Sequence, residues 1–340
     1  MFGLGWLRAL TDARGLLEHA HHGVPRLGEG YTTDDNARAL LYLSLLPEGA
    51  RDEGLVRTYL AFLLHMQKED GRFRNGLTLD GRFEDEGEAE DPTGRAVLAL
   101  AAAQRLSPPY AGPAREALLR ALPALEGFTS LRGRAYALLG LLALPKEPFL
   151  EAAEALGEGL LRAFREAEPA WPYPGPLTYA NHRPVEALYA YGLAFRRQEA
   201  VALARRALAF LKEHYFTPGE EGLFFDPVGN RFMARGRDKP LFDQQPIEAK
   251  CALLAHLRFG ERVLAEVAFL WFHGRNRLRA PLVDAFGPMD GLTPHGPNQN
   301  RGAEALLAYL LAWQALVQGV FPQVDEGVAL GRVFALGGRP

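Results

Sequence analysis

The chain has 340 residues, 38 Lys and Arg against 41 Asp and Glu, a net charge of −3 and 48% hydrophobic residues. That balance supplies no basic surface for nucleic acid, and no apolar run is long enough to span a bilayer. The single cysteine, Cys251, excludes an internal disulfide and a thiolate metal cluster; within its Ala/Leu helix it reads as a buried apolar thiol.

Taken in order, residues 6–20 read as an amphipathic helix with Arg8, Asp12, Arg14 and Glu18. It lacks a basic start, a long apolar core and a small-residue cleavage site, so no signal peptide and a cytoplasmic location are expected. A connection with Gly23, Pro25, Gly28 and Gly30 leads to a helix over 35–46, stopped at Pro47, and another over 51–67. A polar loop over 68–91 holds Asn75-Gly76 and Asp80-Gly81, both hairpin-turn dipeptides, and an acidic run from Glu84 to Asp91. Further helices are predicted over 92–106, 112–126, 131–144, 148–167, 183–196, 198–214, 245–257, 260–273 and 301–317. A hairpin is expected across Pro227-Val228-Gly229-Asn230.

Alternate helix starts share one pattern. The column Arg38, Arg95, Arg134, Arg183, Gln245 and Arg301 recurs at six related helix starts, several of them in a polar knot such as Thr33-Asp34-Asp35-Asn36 or Asp243-Gln244-Gln245. Such recurrence is an internal repeat. The long loops precede these helices, whereas the reverse connections are short. Twelve helices in six hairpins therefore predict an all-α (α/α)6 toroid over 1–318, with residues 319–340 as a tail packed on the outside. An inner ring of six helices would converge its N-termini under the long loops, some carrying short β-hairpins. That face suits anionic or hydroxyl-rich ligands.

The convergent face gathers carboxylates, amides and aromatics, the side chains that bind sugar hydroxyls and stack on sugar rings. Repeats two and five lie opposite each other in a six-fold ring, so Asp91 and Asp243 are the first candidates for a pair of catalytic carboxylates, with Asp34 or Asp35 as the third. The structural alternative for each acid is a helix cap or a partner of the arginine column. Candidate sugar-binding residues are Asn36, Trp171, Tyr173, Asn181, His182, Arg183, Gln244, Gln245, Asp290, His295, Asn298 and Asn300. His182 and His295 also form a candidate proton-transfer pair for an epimerase. Glu186, Glu248 and Glu304 each follow the repeated Arg or Gln by three residues, the spacing of an intrahelical pair. No metal and no cofactor are expected, because neither a His-Glu-x-x-His helix nor a calcium-loop spacing occurs. Three serines and seven asparagines fit a thermophilic source.

Five of these stretches, Thr33-Asp34-Asp35-Asn36-Ala37-Arg38, Glu90-Asp91-Pro92-Thr93-Gly94-Arg95, Asn181-His182-Arg183-Pro184-Val185-Glu186, Asp243-Gln244-Gln245-Pro246-Ile247-Glu248 and Asn298-Gln299-Asn300-Arg301-Gly302-Ala303-Glu304, together resemble a bacterial carbohydrate-active domain. It is of the six-hairpin glycosidase type found beside or fused to group-1 glycosyltransferases. The likeness covers residues 6–317 and implies rim acids as catalytic groups, a mono- or oligosaccharide ligand and a glycosyltransferase as a possible partner. The expected function is glycoside hydrolysis; a sugar epimerase or a non-catalytic glycan-binding module are the alternatives.

Overall fold

The computed structural model describes residues 3–84, 90–144 and 146–320. Its helices are α1 (Leu4–Ala9), α2 (Thr33–Leu45), α3 (Glu53–Met66), α4 (Glu90–Ala103), α5 (Ala111–Leu125), α6 (Leu131–Leu141), α7 (Phe149–Glu166), α8 (His182–Ala194), α9 (Gln198–Tyr215), α10 (Pro246–Arg258), α11 (Arg262–Leu270) and α12 (Ala303–Gln318). The even-numbered helices form the inner ring. Each packs on the next, and α12 returns to α2, so the ring is closed: an (α/α)6 toroid, as the repeat predicted. No described helix is long and apolar enough to cross a membrane.

Burial separates the two rings. Every residue of α10 from Pro246 to His256 is buried, whereas α9 buries one stripe including Ala200, Ala204, Ala207, Leu208 and Leu211. A helix packed on all sides is largely apolar, with buried Glu248, Lys250 and His256 as the exceptions in α10, and one on the outside needs only a stripe. Within the inner ring, α4 and α6 approach closely through glycines. A Cβ on Gly94 would stand 2.4 Å from the Gly133 carbonyl oxygen, and one on Gly140 2.7 Å from Leu98 Cα. Thr32 caps α2 through the Asp35 amide, Ser130 caps α6 through the Gly133 amide, and Pro246 opens α10, where its missing N–H is no loss.

Three local expectations are corrected. The first helix ends at Ala9 rather than near residue 20. Asp12 Oδ1 accepts from the amides of Arg14 and Gly15, which turns the chain, and Leu16 N donates to Asn36 Oδ1 at 2.9 Å. Gly15 passes so close to Asn36 that a Cβ would lie 2.8 Å from its oxygen. Secondly, Asn75-Gly76 is not a turn: Gly76 belongs to β4 (Gly76–Leu77), between β3 (Tyr31–Thr32) and β5 (Phe83–Glu84), and the turn falls at Asp80-Gly81. Thirdly, the later hairpin pairs β6 (Phe216–Gly219) with β7 (Gly222–Phe225), ahead of Pro227. Gly222, at φ 93°, takes the turn, while Gly229 runs against Phe242. The acidic residues 85–89 and the expected tail beyond residue 320 lie outside the described residues.

Candidate functional site

A cavity of about 290 Å³ opens where the N-termini of α2 and α12 meet the loops before α1's partner helix and before α10. Five carboxylates line it: Glu18, Asp34, Asp35, Asp290 and Glu304. His19, Arg38, Asn75 and Gln245 complete its polar wall. Larger grooves lie elsewhere. One of about 400 Å³ runs between α5 and α7 over Leu122, Phe128 and Leu156, away from the inner-helix N-termini. The other, about 540 Å³ and open, runs past Trp171 and Tyr173. Of these three, the smaller cavity brings several carboxylates to the face where helix dipoles and long loops converge, which makes it the candidate site.

The first turn of α2 positions two of these acids. Thr32 caps the helix and donates to Asp35 Oδ2 at 3.0 Å, and Arg38, one turn on, donates to Asp35 Oδ1 at 2.5 Å. Arg38 also reaches Glu304 at 3.1 Å and Asp34 at 3.9 Å, which ties α2 to α12. Asp34 Oδ2 pairs with Arg95 of α4, its amide donates to Asn75 Oδ1, and its Oδ1 is buried without a partner. Asp290 Oδ1 accepts from the Gly302 amide at 2.5 Å, just ahead of α12.

The surroundings push these acids apart in proton affinity. Glu18 rises from 4.5 to about 8, chiefly through burial and then through the charges of Asp35 and Asp34. It therefore keeps its proton at neutral pH. Burial also raises Asp35, which Arg38 partly offsets, and raises Asp290. A protonated carboxyl beside ion-paired carboxylates is the arrangement that lets one site act as both acid and base. Among the described residues, no group of three His, Cys, Asp or Glu side chains is placed to hold a metal ion.

Of the residues singled out from sequence, Asp34, Asp35, Gln245 and Asp290 line this cavity. Asp91 and Asp243 are not brought to it together. Asp91 accepts from Ser130 Oγ at 2.5 Å, Arg132 Nε at 2.6 Å and Tyr179 OH at 3.0 Å. Burial opposes its charge, yet Arg132 and Arg95 outweigh it and hold the carboxyl below its usual range. Asp243 is exposed, in a left-handed kink at φ 59°.

Several amides are engaged within the fold. Asn36 holds Leu16 and the Thr32 carbonyl; Asn181 accepts from Thr178 N and donates to Tyr215 OH at 2.7 Å. Gln244 joins Asp226 to Trp271. Arg183 is buried against Glu186 at 2.5 Å, which realises one of the three expected Arg–Glu or Gln–Glu pairs. In the other two, Glu304 turns to Arg38 and Arg301 to Asp284, while Glu248 accepts from Ala180 N. The Glu248 Oε2 has no partner, and burial lifts its carboxyl to about 8.

His182 is not at the rim: it is fully buried, edge-on to Tyr215 at 4.8 Å, with neither ring nitrogen hydrogen-bonded. Burial, then His256, pushes it well below 6.5. His295 is exposed in the turn between β10 (Gly291–Thr293) and β11 (Gly296–Asn298). Asn298 accepts from Asn300 N, and Asn300 Oδ1 meets His21. Trp171 donates to the Gly175 carbonyl, and with Tyr173 it lines the separate open groove. Glu18 and His19 were missed because residues 10–20 read as helix, and the turn at Asp12 that carries them inward has no local signature.

No protein-family model matches the chain, and no curated protein matches it by sequence. Solved structures do match it. A D-mannose isomerase superposes with a TM-score of 0.67 at 11% identity, over 93% of this chain and 95% of that one. The cellobiose 2-epimerase from Spirochaeta thermophila DSM 6192 gives 0.65 at 15% identity, over 93% and 92%. The GH76A α-1,6-mannanase from Salegentibacter sp. HEL1_6 gives 0.60 at 13%, over 93% and 98%. A variant of that mannanase with two adjacent aspartates changed to asparagine is inactive and was solved in complex with α-1,6-mannotriose. At these identities the likeness establishes the toroid.

Proposed function

We propose that this protein is a carbohydrate-active enzyme that hydrolyses a glycosidic bond in the cavity between α2 and α12. The observation that carries this reading is the cavity that Glu18, whose carboxyl burial pushes up to about 8, shares with the adjacent pair Asp34-Asp35. Glu18 gives its proton to the departing glycosidic oxygen as the bond to the anomeric carbon breaks. Asp34 or Asp35 takes the proton of an attacking water, or attacks that carbon directly. Arg38 and Arg95 hold the pair in place. Gln245, Asn75 and Asp290 offer donors and acceptors to sugar hydroxyls. The adjacent aspartates of the inactive mannanase variant support the same role for an Asp-Asp pair on this fold. Asp91 fits a supporting role, locking Arg132 and Tyr179 beside α4. The resemblance in sequence further supports a glycosyltransferase as neighbour or partner.

A second reading, sugar epimerisation or isomerisation, is favoured by the isomerase and epimerase among the matching structures and by His19 in the cavity wall. One experiment separates the two. Mannose-, glucose- and galactose-based oligosaccharides are incubated with wild type, Glu18→Gln, Asp34→Asn, Asp35→Asn and His19→Gln in deuterated buffer. Hydrolysis releases new reducing ends, and loss of Asp34 or Asp35 reduces the rate by about 10²–10⁴. Deuterium at the sugar C2 without new reducing ends, lost in His19→Gln, would replace hydrolysis by epimerisation. Binding without either product, unchanged in every variant, would leave a glycan-binding module.

A further inference from the structure

Below the acidic cavity, on the axis of the toroid, all six inner helices wall one small void. Its charged lining is Arg38 from α2, Arg95 from α4, Arg183 from α8 and Lys250 from α10. Tyr136 of α6 and Leu311 of α12 close the circle. The space is about 10 Å³, room for one water-sized sphere. We propose that this axial void is a binding site for a single halide-sized anion, held by Lys250 and the three arginines.

The donors around it are unmatched. Terminal nitrogens of all three arginines are engaged: those of Arg38 by Asp35 and Glu304, those of Arg95 by Asp34 and the Tyr136 hydroxyl, and one of Arg183 by Glu186. The Nε of every one of the three is nevertheless buried without a hydrogen-bond partner. A buried N–H without an acceptor is rare and costly, and here it occurs on three side chains that wall the same space. Lys250 is 2% exposed and forms no hydrogen bond or ion pair with any described residue. The charges that act on it are those of Arg183, Arg38 and Arg95, all of its own sign, together with the Cys251 thiol. Burial and this repulsion bring its ammonium down to about 7, a sign of how poorly the protein alone balances it.

Size and chemistry select the ligand. Every charged group on the wall is cationic, so a metal ion is repelled. A water molecule has two lone pairs and no charge, so it leaves Lys250 uncompensated. Sulfate, phosphate and carboxylates exceed the space. Chloride is a single atom, larger than water but far smaller than sulfate; it accepts from several N–H donors at once and supplies the missing negative charge. Arg38 belongs both to this void and to the wall of the acidic cavity, so the anion would sit directly behind the Asp34-Asp35 pair. The inference stands on the axial residues and does not depend on hydrolysis.

The test uses the whole protein at constant ionic strength, with sodium gluconate replaced stepwise by chloride, bromide or sulfate. Chloride and bromide are expected to raise Tm by about 2 °C along a saturating curve, and sulfate and gluconate to have no such effect. Lys250→Met is expected to abolish the halide response. Crystals grown in bromide should show one anomalous peak in contact with Lys250 Nζ and the guanidinium groups. A Tm that stays flat as gluconate gives way to chloride or bromide, or that rises as much with sulfate, overturns the proposal, as do bromide-grown crystals with only water on the axis. Should Lys250→Met fail to fold, the bromide peak in the wild type decides the matter by itself.

Discussion

Replacing Glu18 by glutamine is expected to stabilise the protein at pH 8 and leave it unchanged at pH 4. The carboxyl titrates at 4.5 when unfolded and at about 8 in the cavity. Below pH 4.5 both states hold the proton, and an amide of the same shape changes little. Between 4.5 and 8 the folded state binds more protons than the unfolded one, so the wild type loses stability as pH rises. At about 1.4 kcal/mol per pH unit, that interval sets a ceiling near 5 kcal/mol. The Glu18 side chain is 32% exposed, so solvent screens the interaction and about 1–2 kcal/mol is the realistic difference at pH 8. Urea unfolding of wild type and Glu18→Gln at pH 4, 6 and 8 measures it, with midpoints compared at constant slope. Two parallel pH profiles, or a variant less stable than wild type at pH 8, would show that Glu18 is not held protonated by its surroundings, and the assignment as proton donor would fall with it.

Outcomes are expected for four further variants. Gly94→Ala should destabilise by about 1–3 kcal/mol despite alanine's better helix propensity, because the new Cβ meets backbone at 2.4 Å. Gly112→Ala in α5, with nothing within 4 Å, should be neutral or stabilising, and calorimetry of the two reads the contrast. Asp226→Asn should cost about 3–5 kcal/mol, since the fully buried carboxylate holds both Lys239 and Arg277. Burial opposes that carboxylate, yet Arg277 and Lys239 hold it below 3.8. Its contribution is therefore complete above about pH 4 and fades as pH falls further, and acid unfolding of the asparagine variant should lack that step. His295→Gln should leave turnover and KM as in wild type, because its side chain is exposed in a hairpin turn; a tenfold loss would reopen a role for it in proton transfer.

The toroid was legible because its evidence in sequence is local and repeated. Inner helices announce themselves by Ala/Leu runs without a polar face, and boundaries by Pro47, Pro108 and Pro246. The polar start of α2 likewise drew attention to Asp34 and Asp35, which line the cavity. What stayed hidden depends on partners far along the chain. Leu16, Leu17 and Ala20 keep helical spacing, and only Asn36, twenty residues later, shows why the chain leaves the helix and carries Glu18 inward. Opposition of repeats two and five suggested Asp91 facing Asp243, but repeat symmetry fixes helix axes rather than side-chain directions. The kink at Asp243 turns it to solvent, and Arg132 and Tyr179 claim Asp91. Buried amides such as Asn181 and Gln244 look like ligand groups in sequence because the side chains that occupy them, Tyr215 for the one and Asp226 and Trp271 for the other, lie 18 to 34 residues away.

The contact of α12 with α2 gives the cavity a particular place in the life of the chain. Glu18, Asp34 and Asp35 come from the first hairpin, Asp290 and Glu304 from the last, and the Arg38–Glu304 bridge joins them across 266 residues. The site thus straddles the seam where the ring meets itself. A growing polypeptide carries only the first half, Glu18 to Asp35, for most of its synthesis, and acquires a pocket only when the sixth hairpin has been made and docks against the first. Opening the ring there would dismantle the site, whereas a chain re-joined to open between two other hairpins would keep it on an unbroken stretch.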